Sequence, residues 1–223
     1  MAETFVTPSP SPNGSARDAL RAEAAGVTIR RARVGDVAGI AAVMAGYVEE
    51  GTLLPRSIGE LYRAVPEFHV ALDKGGKVIA CAALRILWMD LGEVRSLAVT
   101  PAAQGLGLGA ALVHATLEDA RDRGLARVIA LTKEVAFFQR CGFSVVERDD
   151  LPRKVWTDCV ACPRRHACDE IAVEIELAPG AIERARETVR AWSVPLVATP
   201  PGHAPGIADT AEAPVGPTVK EPA

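Results

Sequence analysis

Aromatic residues are scarce, 4% of the 223 positions. The core must therefore be built from aliphatic side chains. Charge of one sign is also missing: 25 Lys and Arg stand against 28 Asp and Glu, a formal net charge of −3. That balance gives no global attraction to nucleic acid or to a membrane surface, so neither partner is expected. No apolar run reaches the roughly 18 residues of a membrane-spanning helix. The first residues, MAETFVTPSPSPNGS, have neither a basic n-region nor an apolar h-region, so no secretory signal is expected. Cysteine is present five times, an odd count without disulfide-framework spacing, and the expected compartment is the cytoplasm.

With 49% hydrophobic residues, the chain can bury the core of one ordinary domain. Residues 1–26 are rich in Pro, Ser and Ala and are expected to be a disordered tail, with a frayed helix near Ala16–Ala25. Residues 27–178 are patterned. Residues 179–223 read as a short amphipathic helix, Pro179–Trp192, and a second disordered tail.

Within the patterned part, Val27–Arg33 reads as a strand. Val37, Ile40, Met44, Tyr47 and Val48 follow at helical spacing after Asp36. Ser57-Ile58-Gly59-Glu60 is a capping box. His69–Leu72 and Lys77–Leu87 flank the turn Asp73–Gly76 and predict a hairpin. Glu93–Val99 is a strand, and Leu108–Arg123 is a helix stopped by Gly124. Strand Arg127–Leu131, helix Val135–Arg140 and strands Phe143–Glu147 and Ala172–Leu177 complete the order. The fold class is α/β (α+β): a mixed central sheet with helices on its faces.

Chemistry concentrates where the strand ending in Leu97-Ala98-Val99 runs into Gln104-Gly105-Leu106-Gly107-Leu108-Gly109-Ala110 and a helix begins. A helix start offers unpaired amides and the positive end of the dipole, and glycines let the backbone approach a diphosphate closely. The loop lacks the Gly-Lys-Ser/Thr of a Walker A loop, and its glycines are wrongly spaced for a dinucleotide fold. On the glycines alone, a helix start without a ligand stays open.

Gln-x-x-Gly-x-Gly after Leu-Ala-Val resembles motif A of the GNAT acetyltransferase superfamily. Arg127–Thr132 and Val135–Phe143, closing in Phe-Phe-x-x-Cys-Gly-Phe, resemble its motif B. The resemblance implies the acyl-CoA N-acyltransferase fold, with parallel strands Glu93–Val99 and Arg127–Thr132 splayed into a V that takes acetyl-CoA. It implies that the pantetheine arm pairs with Leu97, Ala98 and Val99, and that the pyrophosphate sits on the amides from Gln104 to Ala110. A strand amide near Leu97 or Ala98 would polarise the thioester carbonyl.

Asp150–Cys159, Cys162-Pro163, Cys168-Asp169-Glu170, Leu84-Arg85 and Leu131-Thr132-Lys133 resemble the short single-domain N-acetylglutamate synthases of arginine biosynthesis. This implies transfer of acetyl to the α-amine of L-glutamate. The chain carries no amino-acid-kinase segment like the long synthases, so any arginine feedback is expected to work differently. The alternatives are another small amine or protein N-terminus as acceptor, or a non-catalytic module that senses CoA. Glutamate carries two carboxylates, which call for cationic anchors. Candidates are Arg85, Arg95, Lys133, Arg153 and Lys154, with Ser96 beside them, and solvated surface charge is the competing reading for each. Glu93 is the candidate base, acting through a water and sharing a face with Arg95 and Leu97 by strand alternation. A structural ion pair is its alternative role. Many superfamily members place an acidic Tyr where this chain has Phe138, so that proton donor is absent. A homodimer is left open.

Cys159, Cys162 and Cys168 make C-x2-C-x5-C with His166 between. The C-x2-C pitch suits zinc, and the three are candidate metal ligands. Redox sensing and reduced packing thiols are the other readings. Cys81 and Cys141 read as core.

Overall fold

Asp73 decides where the chain doubles back. Its Oδ1 accepts the amides of Gly75 (2.9 Å) and Lys77 (3.0 Å), and Gly76 closes the turn at φ 78°. Only a residue free of Cβ strain adopts that φ cheaply. The strands on either side are β2 (Phe68–Leu72) and β3 (Val78–Ile86), antiparallel as expected.

The computed structural model describes residues 26–151, 159, 162–163 and 165–191. The two expected tails, the frayed helix near Ala16–Ala25, Arg153 and Lys154 lie outside the described residues. Besides β2 and β3, the chain forms β1 (Thr28–Arg31), α1 (Val37–Glu49), α2 (Ile58–Ala64), β4 (Leu91–Val99) and α3 (Leu108–Asp122). Then follow β5 (Arg127–Thr132), α4 (Val135–Arg140), β6 (Ser144–Val145), β7 (Ile171–Glu176) and α5 (Ala181–Ala191). The sheet order is β1-β2-β3-β4-β5-β7-β6, mixed because β4 and β5 run parallel. Among the described residues, no helix is long and apolar enough to cross a membrane.

Helices cover both faces of the sheet. On one face, α1 buries Val37, Ile40, Val43 and Met44 against Phe68, Val70, Cys81 and Ala83. On the other, α3 buries Leu108 and Leu112 against Ala71, Ala80 and Ala82, and Val113 and Leu117 against Leu84 and Val94. Small alanines on that face let the long helix lie close to the strands. The Ser57 capping box starts α2 as read, with Ser57 Oγ accepting the Glu60 amide at 3.3 Å.

Two features open the sheet. First, β4 pairs with β5 only from Leu91 to Glu93, opposite Arg127 to Ile129, whereas β5 pairs with β7 along its whole length. The two parallel strands therefore part after Glu93. Second, β4 carries a bulge: Ala83 faces Arg95, but Cys81 faces Ala98, and Ser96 stands at φ 53°. A bulge bends and twists its strand, which turns β4 away from β5. The closed end is held by Arg127, which reaches Glu174 at 2.8 Å and Asp90 at 3.1 Å. Burial pushes the Glu174 carboxyl upward, and the hydrogen bond from Arg127 opposes that shift.

Candidate active site

The glycine-rich loop begins where β4 ends. Thr100 N–H bonds Ile79 C=O at 2.9 Å, and Ala98 faces Cys81. Antiparallel alternation therefore turns the N–H and C=O of Val99, between them, away from β3 and into the V. Gly105 and Gly107 both stand at φ 78°, and Gly107 is the N-cap of α3. As a glycine, that N-cap brings no side chain of its own to the helix start. Its first-turn amides and dipole thus face the open end of the V, the arrangement that suits a diphosphate. A Cβ on Gly109 would stand 3.3 Å from the Phe137 ring and 3.9 Å from Val99, so the glycine sets how closely α3 approaches α4 and β4.

Gly107→Val is expected to weaken CoA binding at least about tenfold. A β-branched residue at this φ costs roughly 1–2 kcal/mol and re-aims the amides of the first turn. Calorimetric titration with CoA reads the effect, and an unchanged affinity would remove the loop from the cofactor site.

Beside β4 lies a cavity of about 290 Å³. Its walls are the loop Thr52–Arg56, residues Glu93, Arg95 and Ser96 of β4, Leu131 of β5, and Cys162 with Cys168–Glu170. Glu93 is 3% exposed, at the last paired position before the strands part. Arg95 Nη2 stands 4.0 Å from the Glu67 carboxylate.

Sequence pattern does not single out Arg56. It is half-buried, its guanidinium lies 5.8 Å from the Phe68 ring centre, and Nη1 is buried without a hydrogen-bond partner among the described residues. Burial, and then the charge of Arg95, pull its guanidinium below the ordinary value. Two such cations side by side favour an anion between them. One signal is legible in the chain: Arg56 directly precedes the N-cap Ser57, where a positive charge opposes the helix dipole. A residue kept against local preference invites a functional reading.

The expected substrate residues divide. Arg95 and Ser96 line the cavity. Arg85 pairs in register with Glu93 but lines an adjoining, more open groove of about 510 Å³ with Arg63 and Arg123. Arg56 and Arg95 line both. Lys133 pairs with Asp169 at 2.6 Å, which ties the end of β5 to the cavity wall.

Two expectations are corrected. Leu97 does not share a face with Glu93 and Arg95. The extra residue of the bulge reverses the alternation, so Leu97 packs with Val94 and Val113 toward α3 while Ala98 packs with Phe68 and Val70. Cys159, Cys162 and Cys168 do not gather as a metal set. Among the described residues, no three His, Cys, Asp or Glu side chains converge to hold an ion. Cys168 Sγ instead accepts from Arg148 Nη2 at 3.2 Å, and the same nitrogen binds Glu170 C=O at 2.6 Å.

Comparison with known proteins identifies the family. Residues 41–143 match the acetyltransferase (GNAT) family. An N-acetyltransferase of Chlorobaculum tepidum is 38% identical over 150 residues, 67% of this chain and 96% of that protein. An amino-acid acetyltransferase of Mycobacterium tuberculosis is 44% identical over 132 residues, 58% of this chain and 75% of that one. The crystal structure of N-acetylglutamate synthase from Neisseria gonorrhoeae, complexed with coenzyme A and N-acetyl-glutamate, superposes with a TM-score of 0.59 at 31% identity. That match covers 68% of this chain and 35% of the synthase. With its strands parted after Glu93 and a glycine-capped helix facing the gap, the chain belongs to the GNAT family and is an acetyl-CoA-dependent acyltransferase.

Proposed function

We propose that the enzyme transfers the acetyl group of acetyl-CoA to the α-amine of L-glutamate, giving N-acetyl-L-glutamate and CoA, and that the product feeds arginine biosynthesis. One observation carries this reading: a buried carboxylate, Glu93, shares a small cavity with two guanidinium groups, Arg56 and Arg95. The product bound in the gonococcal synthase structure and the name of the mycobacterial relative support it.

In this reading Arg56 and Arg95 hold the two carboxylates of the acceptor, and Lys133 and Arg148 fix the wall that faces them. Glu93 takes a proton from the ammonium through a water, which leaves a nucleophilic amine. The amine attacks the thioester carbon, a C–N bond forms, and the developing oxyanion is met by a strand amide near Leu97 or Ala98. Collapse breaks the C–S bond, the nitrogen gives up its second proton to water, and CoA leaves as the thiolate. Phe138, buried edge-on between Phe137 and Phe143, offers that sulfur no proton. The proton comes from water.

A thiol-release assay with acetyl-CoA against the twenty amino acids tests this. Release is expected to require both substrates and to be fastest with glutamate. Release with a polyamine but with no amino acid would overturn the assignment.

A further inference from the structure

Tyr47, in the last turn of α1, is half-buried, and its hydroxyl is fully engaged. It donates to Val99 C=O at 2.7 Å and accepts from Val99 N–H at 3.4 Å. Gln104 Nε2 also donates to it, at 3.2 Å. A single side-chain oxygen thus satisfies both backbone groups of one strand residue. These are the groups that alternation turns into the V, on the stretch of β4 that β5 has left. An unpaired strand edge in an open crevice is available to any extended chain, and a hydroxyl placed there imitates one.

We propose that Tyr47 is a displaceable latch: in the ligand-free enzyme its hydroxyl holds the strand-pairing position at Val99, and the pantetheine arm of acetyl-CoA must take that position from it. The proposal rests on the reading that acetyl-CoA lies along β4. Val99 stands two residues from Leu97, about 6.6 Å along a strand. The latch therefore guards the arm and not the thioester, and while bonded to Val99 it cannot protonate the departing sulfur. Gln104 begins the diphosphate loop, so release of Tyr47 also frees that amide side chain. Removing the hydroxyl removes the competitor and leaves the ring in place.

Calorimetric titration of the full chain, wild type and Tyr47→Phe, decides the matter with two probes. One is CoA. The other is adenosine 3′,5′-bisphosphate, the nucleotide end without the arm. The variant is expected to bind CoA about fivefold more tightly, the worth of one ordinary hydrogen bond no longer displaced. Its affinity for the bisphosphate is expected to stay unchanged. Unchanged or weaker CoA binding by the variant would overturn the latch. So would an equal change for both probes, which would place the effect in the diphosphate loop. A wild type that bound the bisphosphate but gained nothing from the arm of CoA would instead overturn the placement of the cofactor along β4, and the latch with it.

Discussion

Replacing Glu93 by Gln is expected to lower kcat by about 10²–10³-fold, within the range spanned by general bases. The side chain is 3% exposed and lies where β4 and β5 separate, against the cavity it shares with Arg56 and Arg95. Gln keeps its size and can still hydrogen-bond, so packing is preserved and the proton acceptor is lost. The affinity for CoA should not move, because the diphosphate loop lies at the far end of the same strand. The distinguishing readout is pH. A variant without its base depends on amine already deprotonated in solution, so its rate should climb as pH rises from about 7 to about 9, closing on wild type. If Glu93 were only an ion-pair partner, the deficit would stay constant across that range. Steady-state rates at saturating acetyl-CoA measure this directly.

Replacing Arg56 by Ala is expected to raise the KM for glutamate about 10–100-fold, with little change in the KM for acetyl-CoA. The size follows from one charge-assisted hydrogen bond, about 1.5–3 kcal/mol. The arginine is already poised for this task. Burial and Arg95 destabilise its charge, and among the described residues Nη1 is buried without a hydrogen-bond partner. An arriving carboxylate relieves both. Arg56→Lys should recover only part of the loss, since a point charge does not reproduce the forked donor. The substitution also removes the stacking on Phe68, worth about 0.5–1 kcal/mol of stability at a partly exposed site. A melting curve separates that effect from binding. Equal, small changes in both KM values would take Arg56 out of the acceptor site.

Arg56 and Leu97 mark the limits of the sequence reading, and for different reasons. Arg56 reaches the cavity because the α1–α2 loop folds over β4, a contact between positions about forty residues apart that no local pattern encodes. Period-2 alternation puts Leu97 beside Glu93 and Arg95, but it holds only while a strand is regular. The bulge at Ser96 adds one residue and moves every later side chain to the opposite face. Nothing in Arg95-Ser96-Leu97 announces it, since Ser carries no special preference for φ 53°. The cysteines show a third limit. Spacing permits a metal, but convergence of sulfur atoms is a property of the folded loop, and here an arginine takes Cys168.

Much else is legible along the chain. The Asp73 turn, the Ser57 capping box, the apolar stripes of α1 and α3 and the glycines at 105 and 107 are all local. Each follows from backbone preference or from 3.6- and 2-residue periodicity, so the sequence by itself determines the element order and the glycine entry to α3. The depth of the V, the reversed face of β4, the cavity that Glu93 shares with Arg56 and the hydroxyl of Tyr47 on Val99 are decided only in the tertiary structure. They depend on how far two strands pair, on one irregular residue, and on side chains brought together from separate elements. Packing settles those over long sequence distances, and only the assembled sheet holds that information.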